Sequence, residues 1–304
     1  MPAFALATYQ TEDGSPEAAI VLQDNLYPLS SFDSPVQRKS IKQLLETRAD
    51  SLPALQTLAT SVQTSRQHIQ FISTRDVTIL TPIPNPAKLL AVGANYKSHL
   101  AEMGLPAEKW DPMPFFSCPP STSLVGPGKT VKYPPTTARF DWECELTVIL
   151  SKPLRNASVE EAADAIAGYT IGLDLSCRDL LVGGPKGLMD IMRGKAQDTM
   201  KPCGPFFVPK ECLEAEKAEM RDAAIELSVN GEVMIKGSTA EMVWKPEECL
   251  AEISKVVTLE AGDMVLTGTP AGSAKSHGER WLKVGDRVSA GIGGIGTLEV
   301  EVIE

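Results

Sequence analysis

The feature that most constrains the fold is a series of short segments in which apolar and polar residues alternate. Alternation has the period of a β-strand, whose successive side chains point to opposite faces. Asn230 and Gly231 separate two of these segments, and this pair favours the tight type I′ turn of a β-hairpin. In chain order the segments are KTVKYP, WECELTVIL, AIELSV, EVMIKG, DMVLTG, DRVSAG and TLEVEVIE.

Helical signals are few in the same part of the chain. Ser158 stands three residues before Glu161, which is the pattern of a helix capping box, and Pro246 is placed to open a second helix. Parallel strands need crossover connections, usually helices. With so few helices we expect mostly antiparallel sheets, and an α+β fold rather than a doubly wound α/β sheet.

The first 75 residues have a different pattern. Residues 4–9 and 18–22 resemble short strands, whereas residues 40–49 and 52–72 have the apolar spacing of helices. A proline-rich stretch, TPIPNP, follows this unit. We therefore predict a small α/β N-terminal domain over residues 1–75 and a strand-rich catalytic domain over residues 76–304.

The composition excludes several classes of function. With 43% hydrophobic and 22% charged residues, the 304-residue chain has the composition of a globular protein. Its net charge of −10 disfavours nucleic-acid binding, because phosphates attract clustered Lys and Arg. The sequence has neither a secretory signal pattern nor an apolar run long enough to span a membrane. We expect a cytoplasmic protein whose partner is a small molecule, with no nucleic-acid or membrane partner.

Three carboxylates occupy positions where a buried strand normally carries Val or Ile. Glu143 and Glu145 lie in FDWECELTVIL, and Asp174 lies in GYTIGLDLSC. Side chains at i and i+2 of a strand share a face, so the two glutamates project together. Neighbouring buried acids need a raised pKa or a cation, and carboxylate oxygens suit Mg²⁺, Mn²⁺ or Ca²⁺. The sequence therefore predicts a metal site at these three residues.

His99 and Glu102 are a candidate catalytic base. Their spacing of three makes them neighbours on a helix, and a carboxylate beside an imidazole fixes its tautomer and raises its basicity. The alternative is a polar pair on the surface of a helix.

Basic residues and a glycine-threonine loop provide candidate anion-binding groups. Lys195 can stabilise an oxyanion or hold a substrate carboxylate, or it can be a solvated lysine. Arg178 can clamp a carboxylate, or it can be the structural partner of Asp174 or Asp179. Residues 267–272, TGTPAG, offer backbone amides and a hydroxyl to an anion, or form an ordinary turn.

The order of these motifs resembles the fumarylacetoacetate hydrolase family over about residues 78–304. The motifs are, in order, G-x-N-Y-x-x-H-x-x-E, D-x-E-x-E-L, G-Y-x-x-x-x-D-x-S-x-R-D, G-K-x-x-D-T-x-x-P-x-G-P, N-G-E and G-D-x-x-x-T-G-T-P-A-G. The resemblance implies a β-rich roll of mixed sheets, usually assembled as a homodimer. Residues 1–75 are similar only loosely to the family's variable N-terminal domain.

The resemblance also implies roles for the residues that match the family's motifs. Mg²⁺ or Mn²⁺, with Ca²⁺ as a further possibility, would be held by Glu143, Glu145 and Asp174. A lid segment would carry the catalytic His99 and Glu102, with Lys195 stabilising an oxyanion. Residues that would bind a 2-oxo acid substrate are Arg178, Gln197, Gly268 and Thr269.

The implied reaction is hydrolysis of a carbon–carbon bond in a 1,3-dicarbonyl 2-oxo acid, such as an acylpyruvate or a fumarylacetoacetate-like compound. Water activated by His99 and Glu102 would attack a carbonyl that the metal polarises. Alternatives on the same site are a 2-oxo diacid decarboxylase, isomerase, hydratase or aldolase. A further alternative is a metal-binding scaffold without catalysis.

One departure from the family pattern lies near these residues. In FFSCPPSTSLVGPG, Cys118 stands where a lysine is common in the family. This substitution would remove one positive charge near the site. It suggests a substrate with fewer anionic groups, or one anchored by Lys97 or Lys109.

Overall fold

Two β-sheets form the frame of the protein in the computed structural model, which describes residues 4–64, 69–182, 188–215 and 220–304. The expected α+β, mixed-sheet fold is confirmed. The strands are β1 (Ala5–Gln10), β2 (Pro16–Leu22), β3 (Asn25–Pro28), β4 (Ile72–Ser73), β5 (Leu89–Val92), β6 (Phe115–Cys118), β7 (Leu124–Val125), β8 (Gly128–Lys132), β9 (Phe140–Asp141), β10 (Cys144–Leu150), β11 (Ile166–Leu173), β12 (Ser176–Cys177), β13 (Lys201–Pro209), β14 (Ala224–Val229), β15 (Glu232–Ser238), β16 (Met264–Leu266), β17 (Arg287–Ile292) and β18 (Gly296–Ile303).

Helices of the described chain are mostly one or two turns long. No helix among the described residues is long and apolar enough to cross a membrane. The helices are α1 (Ile41–Glu46), α2 (Arg48–Thr64), α3 (Lys97–Glu102), α4 (Pro120–Ser123), α5 (Val159–Ala165), α6 (Arg178–Leu181), α7 (Ile191–Lys195), α8 (Lys210–Ala215) and α9 (Pro246–Val256).

Most strand pairs are antiparallel, as the scarcity of crossover helices predicts. The larger sheet has the order β4-β3-β2-β1-β13-β11-β10-β16-β5-β6, and the smaller has the order β15-β14-β17-β18-β8. Only the pairs β7·β13, β5·β16 and β8·β18 are parallel among the described strands. The hairpin between β14 and β15 turns at Asn230 and Gly231, both with the positive φ of a type I′ turn.

The N-terminal strands extend the same sheet that carries the central strands. β1 pairs with β13 through Leu6 opposite Phe207, and Tyr9 forms a bridge with Ile79. The division of the chain near residue 76 stays a prediction.

The helix predicted over residues 52–72 is wrong in its last part. α2 ends at Thr64, and Ile72–Ser73 is a strand whose Ile72 pairs with Leu26 of β3. Residues 65–68 lie outside the described residues. Sheet pairing at the edge of β3 therefore overrides the apolar spacing that predicted a helix there. The helices opened by Ser158 and Pro246 are confirmed, and the first has the expected capping box.

β10 is buried on both faces, which explains its nearly continuous apolar run. Ile149 belongs to the large core between the two sheets. Val148 and Leu150 belong to a second core, where they pack with apolar residues of α5 and α9. A strand held on both faces and between β11 and β16 is a rigid support for the acids at its amino end.

Candidate active site and metal centre

Antiparallel pairing of β10 with β11 brings the three acids together. Cys144 lies opposite Leu173, so Glu143 and Asp174 face each other just beyond the last pair. The amide of Asp174 donates to the carbonyl oxygen of Glu143 at 3.1 Å. Glu145 is two residues further along the strand and shares the face. The three residues are at most 5% exposed, and one oxygen of each lies within 4.8 Å of the others.

The three carboxylates differ in how far they are neutralised by neighbours. Burial and the charges of Asp174 and Glu143 raise the pKa of Glu145 well above its ordinary value. Burial also opposes ionisation of Glu143, but Lys195, Arg178 and His99 bring the pKa of that carboxyl below its ordinary value. Glu145 is therefore the acid whose ionised form is the less favoured of the two in the absence of a further cation.

Arg178 begins α6 and is a partner of the acids. Its Nε is 2.7 Å from Asp141, and its Nη2 is 2.6 Å from Glu143. Arg178 is thus a structural partner of acids, but the prediction that its partner is Asp174 or Asp179 is wrong. Asp179 instead accepts hydrogen bonds from Thr137 and the amide of Ala138. Because both acid partners of Arg178 are buried, its guanidinium is held in place before any ligand binds.

Two lysines approach Asp174 from different elements. Lys195, at the end of α7, donates to Glu143 at 2.7 Å and to Oδ2 of Asp174 at 2.6 Å. Lys201, at the start of β13, is fully buried and places Nζ 2.7 Å from Oδ1 of Asp174. That oxygen has no hydrogen bond of good geometry among the described residues, and the ion pair with Lys201 is the charged contact it makes there. Lys195 is thus a buried member of the acid cluster rather than a solvated lysine.

A divalent cation fits this group of residues. Oxygen ligands of one ion with bonds of about 2.1 Å lie up to about 4.2 Å apart, close to the separation of the carboxylate oxygens here. The pKa of Glu145 is raised, and one oxygen of Asp174 has no hydrogen bond among the described residues. Both observations indicate that a further positive charge would be stabilised here. Hard carboxylate donors suit Mg²⁺ or Mn²⁺.

His99 and Glu102 form a fixed pair on α3. Nδ1 of His99 is 2.8 Å from Oε2 of Glu102, while Oε1 accepts from the amides of Gly272 and Ser273. Burial opposes ionisation of Glu102, but its hydrogen bonds, chiefly that from His99, lower its pKa to about 2. His99 is only 8% exposed. The pair is therefore fixed by its hydrogen bonds and largely buried, and it is not a solvated surface pair.

The remaining predicted substrate residues have protein partners. The amide of Gly268 donates to Oε2 of Glu145, and the hydroxyl of Thr269 accepts from the amide of Cys144. Gln197 donates to the carbonyl oxygen of Arg193. The TGTPAG loop therefore supports the acids, and the substrate-binding roles of these residues stay predictions.

Two charged residues of the site had no role assigned from the sequence. Asp141 accepts from Arg178 and from the amides of Trp142 and Ala274. Lys201 contacts Asp174. The signal for Lys201 was a charged residue at the start of the apolar segment KPCGPFFV, where a strand buries its side chains.

Comparisons with known proteins bear on this arrangement of residues. The family model described as fumarylacetoacetate (FAA) hydrolase C-terminal matches residues 88–303. The chain belongs to the FAA hydrolase family. It is an enzyme, like the FAA hydrolase family members that it resembles, which include hydrolases, isomerases and tautomerases.

Three similar proteins of the FAA hydrolase family illustrate this range. The mitochondrial oxaloacetate tautomerase fahd2 of Xenopus laevis is 34% identical and covers 98% of this chain and 90% of its own. A 2-hydroxyhepta-2,4-diene-1,7-dioate isomerase from Mycobacterium marinum superposes with a TM-score of 0.72 at 27% identity, covering 99% and 98%. Fumarylpyruvate hydrolase from Pseudomonas aeruginosa, in complex with Mn²⁺ and pyruvate, gives a TM-score of 0.63 at 30% identity, covering 71% and 89%.

Proposed function

We propose that this protein is a divalent-metal-dependent enzyme that interconverts the keto and enol forms of a 2-oxo diacid of the oxaloacetate class. His99 is the base, and Glu143, Glu145 and Asp174 hold the metal. The relative named oxaloacetate tautomerase, which is similar over nearly the whole chain, supports this substrate class.

The observation that carries the proposal is the hydrogen bond between His99 and Glu102. With a pKa of about 2, Glu102 is a carboxylate at neutral pH and can only accept hydrogen bonds. Nδ1 of His99 must therefore carry the proton that it shares with Glu102 at 2.8 Å. In the neutral imidazole with this tautomer the lone pair is on the other ring nitrogen, Nε2, which is the form that a general base requires.

The proton transfer balances within this set of residues. Nε2 of His99 takes a proton from C3 of the substrate, and the electron pair of that C–H bond forms the C2–C3 double bond of an enolate. The imidazolium then gives this proton, or a solvent proton exchanged for it, to the enolate oxygen, which yields the enol and regenerates the base. The reverse sequence restores the ketone. A bound divalent cation would polarise the 2-oxo group and make the C3 proton more acidic.

Lys195 is placed to assist at the developing oxyanion. An ammonium group has three N–H donors, and two of them are used by Glu143 and Asp174 among the described residues. The third is available to an oxygen of the substrate beside the acids. A donor fixed before the reaction stabilises charge without reorganisation during the step.

The metal, assembly and location are parts of the same proposal. The metal is Mg²⁺ or Mn²⁺, with Mn²⁺ supported by the complex of the fumarylpyruvate hydrolase relative. We also propose a cytoplasmic homodimer. Titration with each metal, light scattering and cell fractionation test these three points.

The decisive experiment follows exchange of the C3 protons of oxaloacetate with D₂O by NMR, with Mg²⁺ present and after chelation. We expect the protein to accelerate exchange only with metal, and His99→Gln to abolish the acceleration while metal binding persists. The matched control is His277→Gln, which changes a histidine whose ring contacts the carbonyl oxygen of Met234 and should leave the acceleration unchanged. Metal-independent exchange, or full activity in His99→Gln, would contradict the proposal.

Hydrolysis of an acylpyruvate is the second candidate, because the same Nε2 can take a proton from water. The similarity to fumarylpyruvate hydrolase supports it. In this case the attacking water adds to the acyl carbonyl, the carbon–carbon bond breaks and pyruvate leaves as its enolate. Release of pyruvate from an acylpyruvate at a rate above that of C3 exchange in oxaloacetate would favour this candidate.

A further inference from the structure

Cys118 and Lys201 approach the same backbone oxygen from two different strands. Sγ of Cys118, at the end of β6, is 3.9 Å from the carbonyl oxygen of Lys195. Nζ of Lys201, at the start of β13, donates a hydrogen bond to that oxygen. The two side chains therefore end in one small region directly behind Lys195.

Lys201 is fully buried, so its charge requires partners. Its ammonium contacts Oδ1 of Asp174 at 2.7 Å and donates to the carbonyl oxygens of Met200 at 3.2 Å and Leu175 at 3.4 Å. Together with the carbonyl of Lys195, these contacts connect a predicted metal ligand with the end of α7. No solvent-facing role explains a lysine at this position.

We propose that Lys201 is a positioning residue, and that it supplies from β13 the positive charge that the family pattern places at residue 118. The expectation that Cys118 leaves the site one charge short is then incorrect for this chain, because the charge has moved to another strand. Lys201 fixes Asp174 through its carboxylate and Lys195 through its carbonyl. This inference rests on the proposed metal site.

The charge balance of the site gives the direction of the effects. Four buried carboxyl groups face three cations in the described cluster, so the acidic groups outnumber the cations by one. The carboxylates are Asp141, Glu143, Glu145 and Asp174, and the cations are Arg178, Lys195 and Lys201. Loss of one cation raises this excess of acidic groups to two. The metal-free protein becomes less stable, whereas a divalent cation is attracted more strongly.

Neutral replacement of Lys201 and transfer of its charge to residue 118 separate this role from simple packing. The variants are Lys201→Met, Cys118→Lys and Cys118→Lys/Lys201→Met, each measured by thermal unfolding with the metal chelated. We expect both single variants to unfold at lower temperature, the first through a lost counter-charge and the second through two adjacent ammonium groups. The double variant should recover at least half of the larger loss, because one cation is again present.

Metal affinity is a second measurement, and we do not expect a change in packing alone to alter it. Calorimetric titration with Mg²⁺ should show binding to Lys201→Met that is roughly tenfold tighter, and the double variant should return towards the original affinity. Lys236→Met, which removes an exposed lysine of β15, should change neither the unfolding temperature nor the affinity. Unchanged affinity in Lys201→Met, or a double variant no more stable than Lys201→Met, would overturn the inference.

A further pair of variants covers the case in which Lys201→Met does not fold. Cys118→Lys/Lys201→Met is then compared with Cys118→Met/Lys201→Met, which has a side chain of similar length without the charge. Folding of the first pair alone supports a relocated charge, whereas equal behaviour of the two overturns it. These measurements do not use substrate, so absence of tautomerase activity would refute the proposed function without deciding the role of Lys201.

Discussion

Asp174 lies opposite Glu143 at the end of the β10·β11 strand pair, and its amide donates to the carbonyl oxygen of Glu143 at 3.1 Å. The backbone thus brings two acids together through a hydrogen bond that needs no metal. Lys195 connects their side chains with contacts of 2.7 and 2.6 Å. The strand pair itself therefore brings these two acids together.

Glu145→Gln should stabilise the metal-free protein and remove its response to metal. The change replaces a buried acid whose pKa is raised by burial and by its acidic neighbours with a neutral side chain that can still accept from Gly268. We expect a gain of about 1 kcal/mol with metal chelated, and no rise in unfolding temperature on adding Mg²⁺. Glu226→Gln, on the exposed face of β14, is the control. An undiminished response to Mg²⁺ would exclude Glu145 as a ligand.

The stability of the metal-free protein should fall as pH rises above the ordinary pKa of Glu145 and through its raised folded pKa. Because the pKa of Glu145 is raised in the folded state above its ordinary 4.5, the folded chain keeps a proton that the unfolded chain loses. The associated stability is complete below about pH 4.5 and disappears as pH rises through the folded pKa. Metal displaces this proton, so stabilisation by Mg²⁺ should be larger at about pH 8 than at about pH 6. Denaturant titrations at both pH values, with and without chelator, measure this stabilisation. A stabilisation by Mg²⁺ that does not depend on pH would contradict the prediction.

Glu102→Gln should reduce turnover more than substrate binding. The amide no longer holds the Nδ1 proton of His99 as a carboxylate does, so the fraction of rings with a free lone pair at Nε2 falls. We expect kcat to drop about 10- to 100-fold with little change in KM or metal affinity. Steady-state kinetics of the exchange reaction provide the measurement, with the exposed Glu108→Gln as control. A kcat within twofold of the original would show that Glu102 is dispensable.

Gly268→Ala should destabilise the protein and weaken metal binding. Gly268 has φ +91, and a Cβ there would lie 3.0 Å from Cβ of Asn95. The strained backbone displaces the amide that donates to Glu145, and we expect a loss of about 1–3 kcal/mol in the free energy of unfolding. Gly128→Ala is a matched control, because Gly128 has φ +105 but no atom within 4 Å of the added Cβ. Equal effects of the two variants would mean that φ alone matters and that the contact with Asn95 does not.

Local periodicity was sufficient to predict much of the fold. The strand over residues 224–229 was predicted at its observed bounds, and the hairpin turn at Asn230 and Gly231 follows from the backbone conformation that this pair tolerates. The same reasoning failed at residues 69–72, because an apolar spacing that suits a helix also suits the edge of β3. Which of two permitted structures forms there depends on a strand more than forty residues earlier in the chain.

The sequence by itself determined that Glu143 and Glu145 share a face and that His99 and Glu102 are neighbours, because strand and helix periods fix these relations within a few residues. Only the tertiary structure decided which cation neutralises which acid. Lys201 reaches Asp174 from a different strand, and although the apolar segment that it opens indicates burial, nothing local identifies Asp174 as its partner. The physical reason is that Coulomb interactions depend on distance in space and on burial, and the packing of the sheets sets both.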